Sequence, residues 1–334
     1  MVTVDFLTNT GEEKEMKNCI AAIDMGTNSF HLIIVQVKKD GSFKIIDRER
    51  EVIRLGFHQG KNLNTISEGE IEKAIDILKE FNKIAKFYGA EVRAVATSAV
   101  REAKNKDDFT ARVFDATGIY VEAVKGIKEA ELIYLGVLKA LKLNNKRVLC
   151  VDIGGGSTEF LLGDEGITIF AESVKIGAVR LSKRFFPDYH LSPERIDMCE
   201  RYISEKIYSK SDLHSHHQFN YAVGTSGTII AAASIIHFRK RNKFAKSLNG
   251  FTFTDKELFR LTEDILRCPS PVDRLSVEGM EVKRADIIPA GLLILRKAFE
   301  VFDIDEMTVS ENALREGIII ETIRKQDEQV MISV

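Results

Sequence analysis

Little in this chain points to an oxidised, membrane-bound or polyanion-coating protein. Its four cysteines, Cys19, Cys150, Cys199 and Cys268, are far apart and never form a C-x-x-C pair, so neither a zinc site nor a disulfide framework is indicated. Reduced thiols fit a cytoplasmic protein best. No apolar run reaches the roughly 18 residues that suggest a membrane span, and residues 1–17 lack a basic segment followed by an apolar one. The expectation is a soluble, unexported protein with a polar N-terminal tail and no membrane partner. Charge of one sign is also missing, because 48 Lys and Arg face 50 Asp and Glu for a net charge of −2. That balance argues against nucleic acid as a partner, and a polyanionic ligand would have to be met by a local patch.

What is present is globular. Hydrophobic residues make up 44% and charged residues 29% of 334 positions, enough for two domains of ordinary size. The most informative stretch is Arg147 to Phe160, RVLCVDIGGGSTEF, an apolar run, an aspartate, three glycines, a Ser-Thr pair and a second apolar run. This reads as strand, tight turn and strand. Gly154, Gly155 and Gly156 remove every Cβ from the turn, so backbone N–H groups can approach an anion, while Ser157 and Thr158 add hydroxyls. Asp152 and Glu159 flank this cradle. A carboxylate beside a phosphate ordinarily needs a cation between them, and Mg²⁺ with oxygen ligands is the natural choice. A flexible hairpin is the simpler reading of a lone glycine triplet, but residues 22–30, AIDMGTNSF, repeat the pattern around Asp24. Two such turns suggest an internal duplication with one phosphate-binding hairpin in each half.

In chain order, Cys19 to Asp24, Phe30 to Val37 and Phe43 to Leu55 predict an antiparallel three-strand meander. Ser67 and Glu70 form a capping box for a helix whose apolar stripe runs to Tyr88. A short strand from Glu91 to Thr97 ends in TSAVRE, Asn105 is placed to cap a helix over about 106–116, and Ile127 to Leu143 is helical. The scheme restarts at Arg147 with three more strands. A strand follows at Tyr221 to Gly224, where the turn Gly224, Thr225, Ser226, Gly227 opens a helix to about Ile236. Another helix begins at Thr254, and a long apolar helix is expected over Arg284 to Phe302 with Pro289 kinking it or near its start. Met307 to Ser310 predicts a last strand, and Glu311 to Arg324 a final helix.

This is an α/β pattern in two halves, the arrangement of the actin-like, ribonuclease H-like two-domain fold with a ligand cleft between domains. The expected division is 18–135 and 136–311, with a last helix at about 312–330 packing back on the first half. His214, His216 and His217 read as an exposed loop, with metal as the alternative. The basic run 237–246, HFRKRNKFAK, reads as a solvated loop, with a track for a phosphate chain as the alternative.

AIDMGTNSF, ATSAVREA (96–103), EAELIYLGV (129–137), VDIGGGSTEF (151–160), GTSGT (224–228), RADIIPAG (284–291) and ALREG (313–317), in that order, resemble the exopolyphosphatase / guanosine pentaphosphate phosphatase family in its short, two-domain form. The resemblance implies a Mg²⁺-dependent hydrolase that releases the terminal phosphate of inorganic polyphosphate or guanosine pentaphosphate, and in such enzymes a homodimer is common. Glu129 matches the family's proposed general base, and Asp152 and Glu159 match positions organising metal and water. Arg101 matches a phosphate-clamping arginine. Asn28, Ser29, Gly154 to Thr158, and Gly224, Ser226 and Gly227 are expected to supply further donors, and Arg284 to hold a distal phosphate or nucleotide moiety. Asp24 either orients metal-bound water or holds its own hairpin. An ATP-dependent kinase of the same fold and a sensor that binds without turnover are the competing readings.

Overall fold

The computed structural model describes residues 18–55, 65–210 and 218–332. The expected N-terminal tail and the His214, His216 and His217 cluster lie outside them. Strands β1 (Cys19–Met25), β2 (Ser29–Val37) and β3 (Phe43–Val52) form the predicted meander, followed by helix α1 (Glu68–Phe87), β4 (Glu91–Ala96), α2 (Ser98–Arg101), α3 (Lys106–Thr117), β5 (Val121–Ala123) and α4 (Gly126–Leu141). The second half contains β6 (Val148–Ile153), β7 (Thr158–Asp164), β8 (Ile167–Val174), α5 (Ala178–Phe185), α6 (Pro193–Tyr208), β9 (Tyr221–Thr225) and α7 (Ser226–Arg241). It closes with β10 (Thr252–Thr254), α8 (Asp255–Leu266), α9 (Pro271–Arg274), α10 (Ile288–Phe302), β11 (Glu306–Val309) and α11 (Leu314–Ile332).

The strands make two mixed sheets, ordered β3-β2-β1-β4-β5 and β10-β11-β9-β6-β7-β8. In each, an antiparallel meander is extended by a parallel neighbour, β4 beside β1 and β9 beside β6. Alternation decides which way each residue points. In β1, Ala21, Ile23 and Met25 enter a core shared with α1 and α3, whereas Ile20 and Ala22 enter a second core lined by α4 and α11. In β6, Val148 and Cys150 enter that same second core, and Leu149, Val151 and Ile153 face a third, under the second half's own helices. The molecule is therefore layered, with α4 and α11 between the sheets. Helix α4 lies against β6, β7 and β8, while α11 returns to β1 and β2. The expected division at 135 and 136 thus falls inside the continuous α4. Two glycines let these helices cross closely, since a methyl at Gly136 would overlap the Ala313 carbonyl and one at Gly317 the Leu132 carbonyl.

Several expectations shift for local reasons. Strand β3 stops at Val52 because the N–H groups of Ile53 and Arg54 donate to the Asn28 carbonyl, each at 3.1 Å, leaving the ladder for the first hairpin. Asn105 precedes α3 but caps nothing with its side chain, which instead exchanges two hydrogen bonds with the Ile66 backbone. Arg284 belongs to a separate 3-10 turn, and the long apolar helix begins at Ile288 with Pro289 in its first turn, where a missing N–H costs nothing. The basic run is not a loop throughout, because His237 to Arg241 complete α7, with Arg239 and Lys240 paired to Asp264 and Glu257 of α8.

Candidate functional site

The strand parity that builds the middle core also builds the site. Asp24 shares its face with Ile20 and Ala22, and Asp152 with Val148 and Cys150, so both aspartates point from strand ends into the space between the sheets. Each has a directly opposite partner on the next strand, His31 for Asp24 and Glu159 for Asp152, and such partners project from the same face. The two turns are built alike. Gly26 N–H donates to the Ser29 carbonyl at 3.2 Å and Gly154 N–H to the Ser157 carbonyl at 3.0 Å. The duplication read from the sequence is therefore a duplication of backbone geometry.

Into the same space α4 brings Glu129 from its first turn, 6% exposed. Four acids accumulate there. Burial lifts the Asp24 carboxyl to about 7 against the pull of Arg315. Burial, with the Glu129 and Asp24 charges, lifts Asp152 to about 8. Burial, with the Glu129 and Asp152 charges, drives Glu159 well above the ordinary carboxylate range, and burial raises Glu129 against the nearby Arg101. Glu159 accepts from the Ser173 hydroxyl at 2.7 Å through Oε1, while its buried Oε2 has no hydrogen-bond partner among the described residues. Among the described residues, however, no three acidic, histidine or cysteine side chains converge into a metal cage. Asp24, Asp152 and Glu159, expected together as metal ligands, do not form a ready-made three-ligand site.

The first hairpin is electrostatically different. His31 bonds the Ser29 hydroxyl through Nε2 at 2.8 Å. Its pKa falls to about 3 through burial and through Arg315, Arg50 and Arg284. The second hairpin thus carries two carboxylates, whereas the first, which carries Asp24, lies within the field of three guanidinium groups.

Arg101 is the hinge between these groups. Its Nη1 donates to Glu129 at 2.5 Å and to the Val124 carbonyl at 3.3 Å, and its Nη2 reaches the Ser157 hydroxyl at 3.4 Å and Glu159 at 4.0 Å. Glu129, Arg101, Ser157 and Glu159 are thus brought together at one place.

Other expected donors are already engaged. The Thr158 hydroxyl is fully buried and donates to the Ile176 carbonyl at 2.7 Å, so it is not a free phosphate donor. The Ser226 hydroxyl donates to the Ile153 carbonyl at 2.6 Å. Gly224 lies inside β9 beneath Met307 and Ile229, its carbonyl accepting from Ser310 N–H, so it is a packing glycine. Gly227 is covered by the Arg284 guanidinium, which a side chain there would have to displace. Ser29 is buried against His31, and Asn28 holds the end of β3 through its carbonyl while its side-chain oxygen is buried without a partner. In the second turn, Gly155 and Gly156 pack directly against Thr27 of the first, and Gly156 also meets Ser98. Among the described residues, the N–H groups of Gly155, Gly156 and Ser157 donate to no backbone carbonyl.

Sequence reasoning missed Thr27, Ser98, Glu102, Arg180, His31 and Arg315. His31 was findable, because it stands seven residues after Asp24 as Glu159 does after Asp152. Arg180 carried no signal, since nothing local connects it to residues near 98.

With this geometry in view, comparisons with known proteins are informative. Residues 33–326 match the model of the Ppx/GppA phosphatase family. A Haemophilus influenzae protein provisionally named an exopolyphosphatase is 33% identical over 304 residues, covering 90% of each chain. A Fusobacterium nucleatum protein named a bifunctional 3-dehydroquinate synthase/phosphatase is 31% identical over 92% of this chain, which spans only 47% of that relative's length. A solved exopolyphosphatase structure from Cytophaga hutchinsonii superposes with a TM-score of 0.84 at 29% identity, over 92% of this chain and 98% of that one. The two mixed sheets with their paired hairpins are the actin-like α/β arrangement, and the chain belongs to the Ppx/GppA phosphatase family.

Proposed function

We propose that this phosphatase-family protein hydrolyses the terminal phosphoanhydride of a polyphosphate chain or of guanosine pentaphosphate, with Mg²⁺ and with Glu129 as general base. The observation that carries the reading is the 2.5 Å contact between Arg101 and Glu129 beside Ser157. A phosphate clamp and a proton acceptor already meet at the glycine turn. A terminal phosphoryl group entering there competes for the Arg101 fork, which suits the bidentate geometry of phosphate oxygens. The Glu129 carboxylate is then freed to take a proton from water, a role that contributes on the order of 10²- to 10⁴-fold. The unspent N–H groups of Gly155, Gly156 and Ser157 are donors for charge on the transferred group.

Mg²⁺ suits the remaining donors. They are all oxygen, one is the partnerless Oε2 of Glu159, and Mg²⁺ is commonly held by one or two carboxylates together with substrate phosphates, so a three-ligand cage is not required. Asp152 and Glu159 would hold it, with Asp24 nearby, and it would supply charge neutralisation of the phosphate oxygens. Arg284, with Arg50 and Arg315 also near His31, would anchor the distal anionic part of the substrate.

The test is phosphate release from long polyphosphate, tripolyphosphate, guanosine pentaphosphate and ATP, with Mg²⁺ and with EDTA, for wild type and Glu129→Gln. Metal-dependent release that falls by roughly 10² or more in the variant supports the reading, and the ranking of substrates names the preferred one. No release by folded wild type from any of the four would sink it in favour of a binding-only sensor, or of a kinase if ATP is consumed when an acceptor alcohol is added.

A further inference from the structure

Arg180, on the first turn of α5, makes a set of contacts that no motif predicted. Its Nε donates to the Gly156 carbonyl at 2.6 Å. Its Nη2 reaches across to the first half, donating to Glu102 at 2.7 Å and to the Ser98 hydroxyl at 3.2 Å. Lys175 holds the other oxygen of Glu102 at 3.1 Å.

Backbone geometry explains why the first of these contacts matters. The start of α5 ties down the carbonyls of the glycine turn, with Ala178 N–H on Gly154 and both Val179 and Arg180 N–H on Gly155, all at 3.0 Å. Gly156 would be left out of this set but for the Arg180 side chain. Fixing all three carbonyls fixes the peptide planes, and hence where the turn's unspent N–H groups can aim.

The second contact reaches the other half of the site. Ser98 and Glu102 bracket α2, the single helical turn that carries Arg101. Arg101 in turn reaches back to Ser157 of the glycine turn. Two arginines therefore cross between the halves in opposite directions, one at the phosphate locus and one behind it.

We propose that Arg180 is a positioning residue that holds the glycine turn and the Arg101 helix in register, so that the phosphate site is complete only while the two hairpins are closed on each other. Arg180 acts through Gly156 and Glu102 and touches no reacting atom. A planar guanidinium suits the task because its Nε and Nη2 donors diverge in a fixed fork, which lysine cannot reproduce. The catalytic consequence rests on the phosphohydrolase reading above, whereas the structural consequence does not.

The test compares wild type with Arg180→Met, Arg180→Lys, Glu102→Gln and the Met/Gln double variant, by amide hydrogen exchange over 98–102 and 154–158 and by steady-state kinetics with tripolyphosphate and Mg²⁺. Arg180→Met is expected to speed exchange in both segments, and Glu102→Gln chiefly in the first. Both should raise KM by about tenfold or more with kcat within a few-fold, because a smaller closed fraction weakens apparent affinity while saturating substrate restores closure. The double variant should be no worse than Arg180→Met alone, since the two residues share one contact. Arg180→Lys should fall between wild type and Arg180→Met. The acidic limb of the pH profile should not move in Arg180→Lys, which keeps the charge.

Unchanged exchange at 98–102 in Arg180→Met would overturn the proposal, as would additive losses in the double variant. A large fall in kcat at unchanged KM would also overturn it, by placing Arg180 on the reacting group. If wild type hydrolyses nothing, the functional reading fails, and hydrogen exchange still decides whether Arg180 joins the two segments.

Discussion

The Arg101 guanidinium donates to the Glu129 carboxylate at 2.5 Å, so in the substrate-free structure the proposed base is engaged by the proposed phosphate clamp. Each group restrains the other. Burial raises the Glu129 pKa and Arg101 opposes that rise.

This pair predicts a pH signature. The base must be ionised, so kcat/KM should climb with pH along a limb lying above the ordinary glutamate value. Replacing Arg101 with Gln removes the cation that favours the ionised form, and the limb should move to higher pH while overall activity drops. A pH profile of kcat/KM for both proteins checks this. A limb that stays put or moves down in the variant would separate Glu129 from the titration.

The buried aspartates predict a metal-linked stability change. Asp24 and Asp152 rise from an ordinary 3.8 to about 7 and about 8. A carboxyl whose folded pKa is raised binds its proton more tightly when folded, so its contribution to stability falls as pH rises from the unfolded value through the folded one. Without metal, these two groups should lower the melting temperature between about pH 6 and about pH 8.5. Mg²⁺ needs the ionised form, so its stabilising shift should be larger at the higher pH. Thermal melts with Mg²⁺ and with EDTA at both pH values decide the matter, and equal shifts would count against carboxylate ligation.

Close packing of the two turns predicts a sharp response at Gly156. A methyl there would overlap the Ser98 and Thr27 hydroxyls and push the hairpins apart. Gly156→Ala should lower kcat/KM by about tenfold or more, the scale on which an ångström of misplacement acts. A methyl at Gly69, in the first turn of α1, would meet nothing within 4 Å among the described residues, and Gly69→Ala should leave activity alone while stability rises by up to about 1 kcal/mol. Parallel kinetics and denaturant melts separate the two. Equal activity loss in both would mean that hairpin contact is not the cause.

A half-buried ion cluster ties α11 to β4 and α4. Glu321 pairs with Arg93 of β4 and Lys128 of α4. Burial alone would raise its pKa, but the hydrogen bonds from Lys128 and Arg93 draw it down to about 2. Because the folded pKa is depressed, this stabilisation is present above the ordinary 4.5 and is lost as pH falls towards about 2. Glu321→Gln should cost roughly 1–3 kcal/mol in urea melts near neutral pH, with the difference from wild type shrinking in acid. A cost independent of pH would point to packing instead.

The sequence by itself determined the parts that depend on near neighbours. The two aspartate turns with the strands on either side of them, and the Ser67/Glu70 capping box, were legible because turn chemistry, capping and strand propensity act over a few residues. The matched motifs brought Glu129 and Arg101 to attention, and strand alternation in the folded sheets then carried Asp24 and Asp152 into the space between them. Tertiary structure alone decided which groups are free. Thr158 and Ser226 were chemically plausible donors, yet their hydroxyls go to the Ile176 and Ile153 carbonyls, partners supplied by the folded chain. Tertiary structure also decided that α4 serves one sheet and α11 the other, and that Arg180 meets Ser98 and Glu102 from 82 and 78 residues away. A hydrogen bond between residues so far apart leaves no periodic or local trace, because its geometry exists only after both sheets have packed on the helices between them.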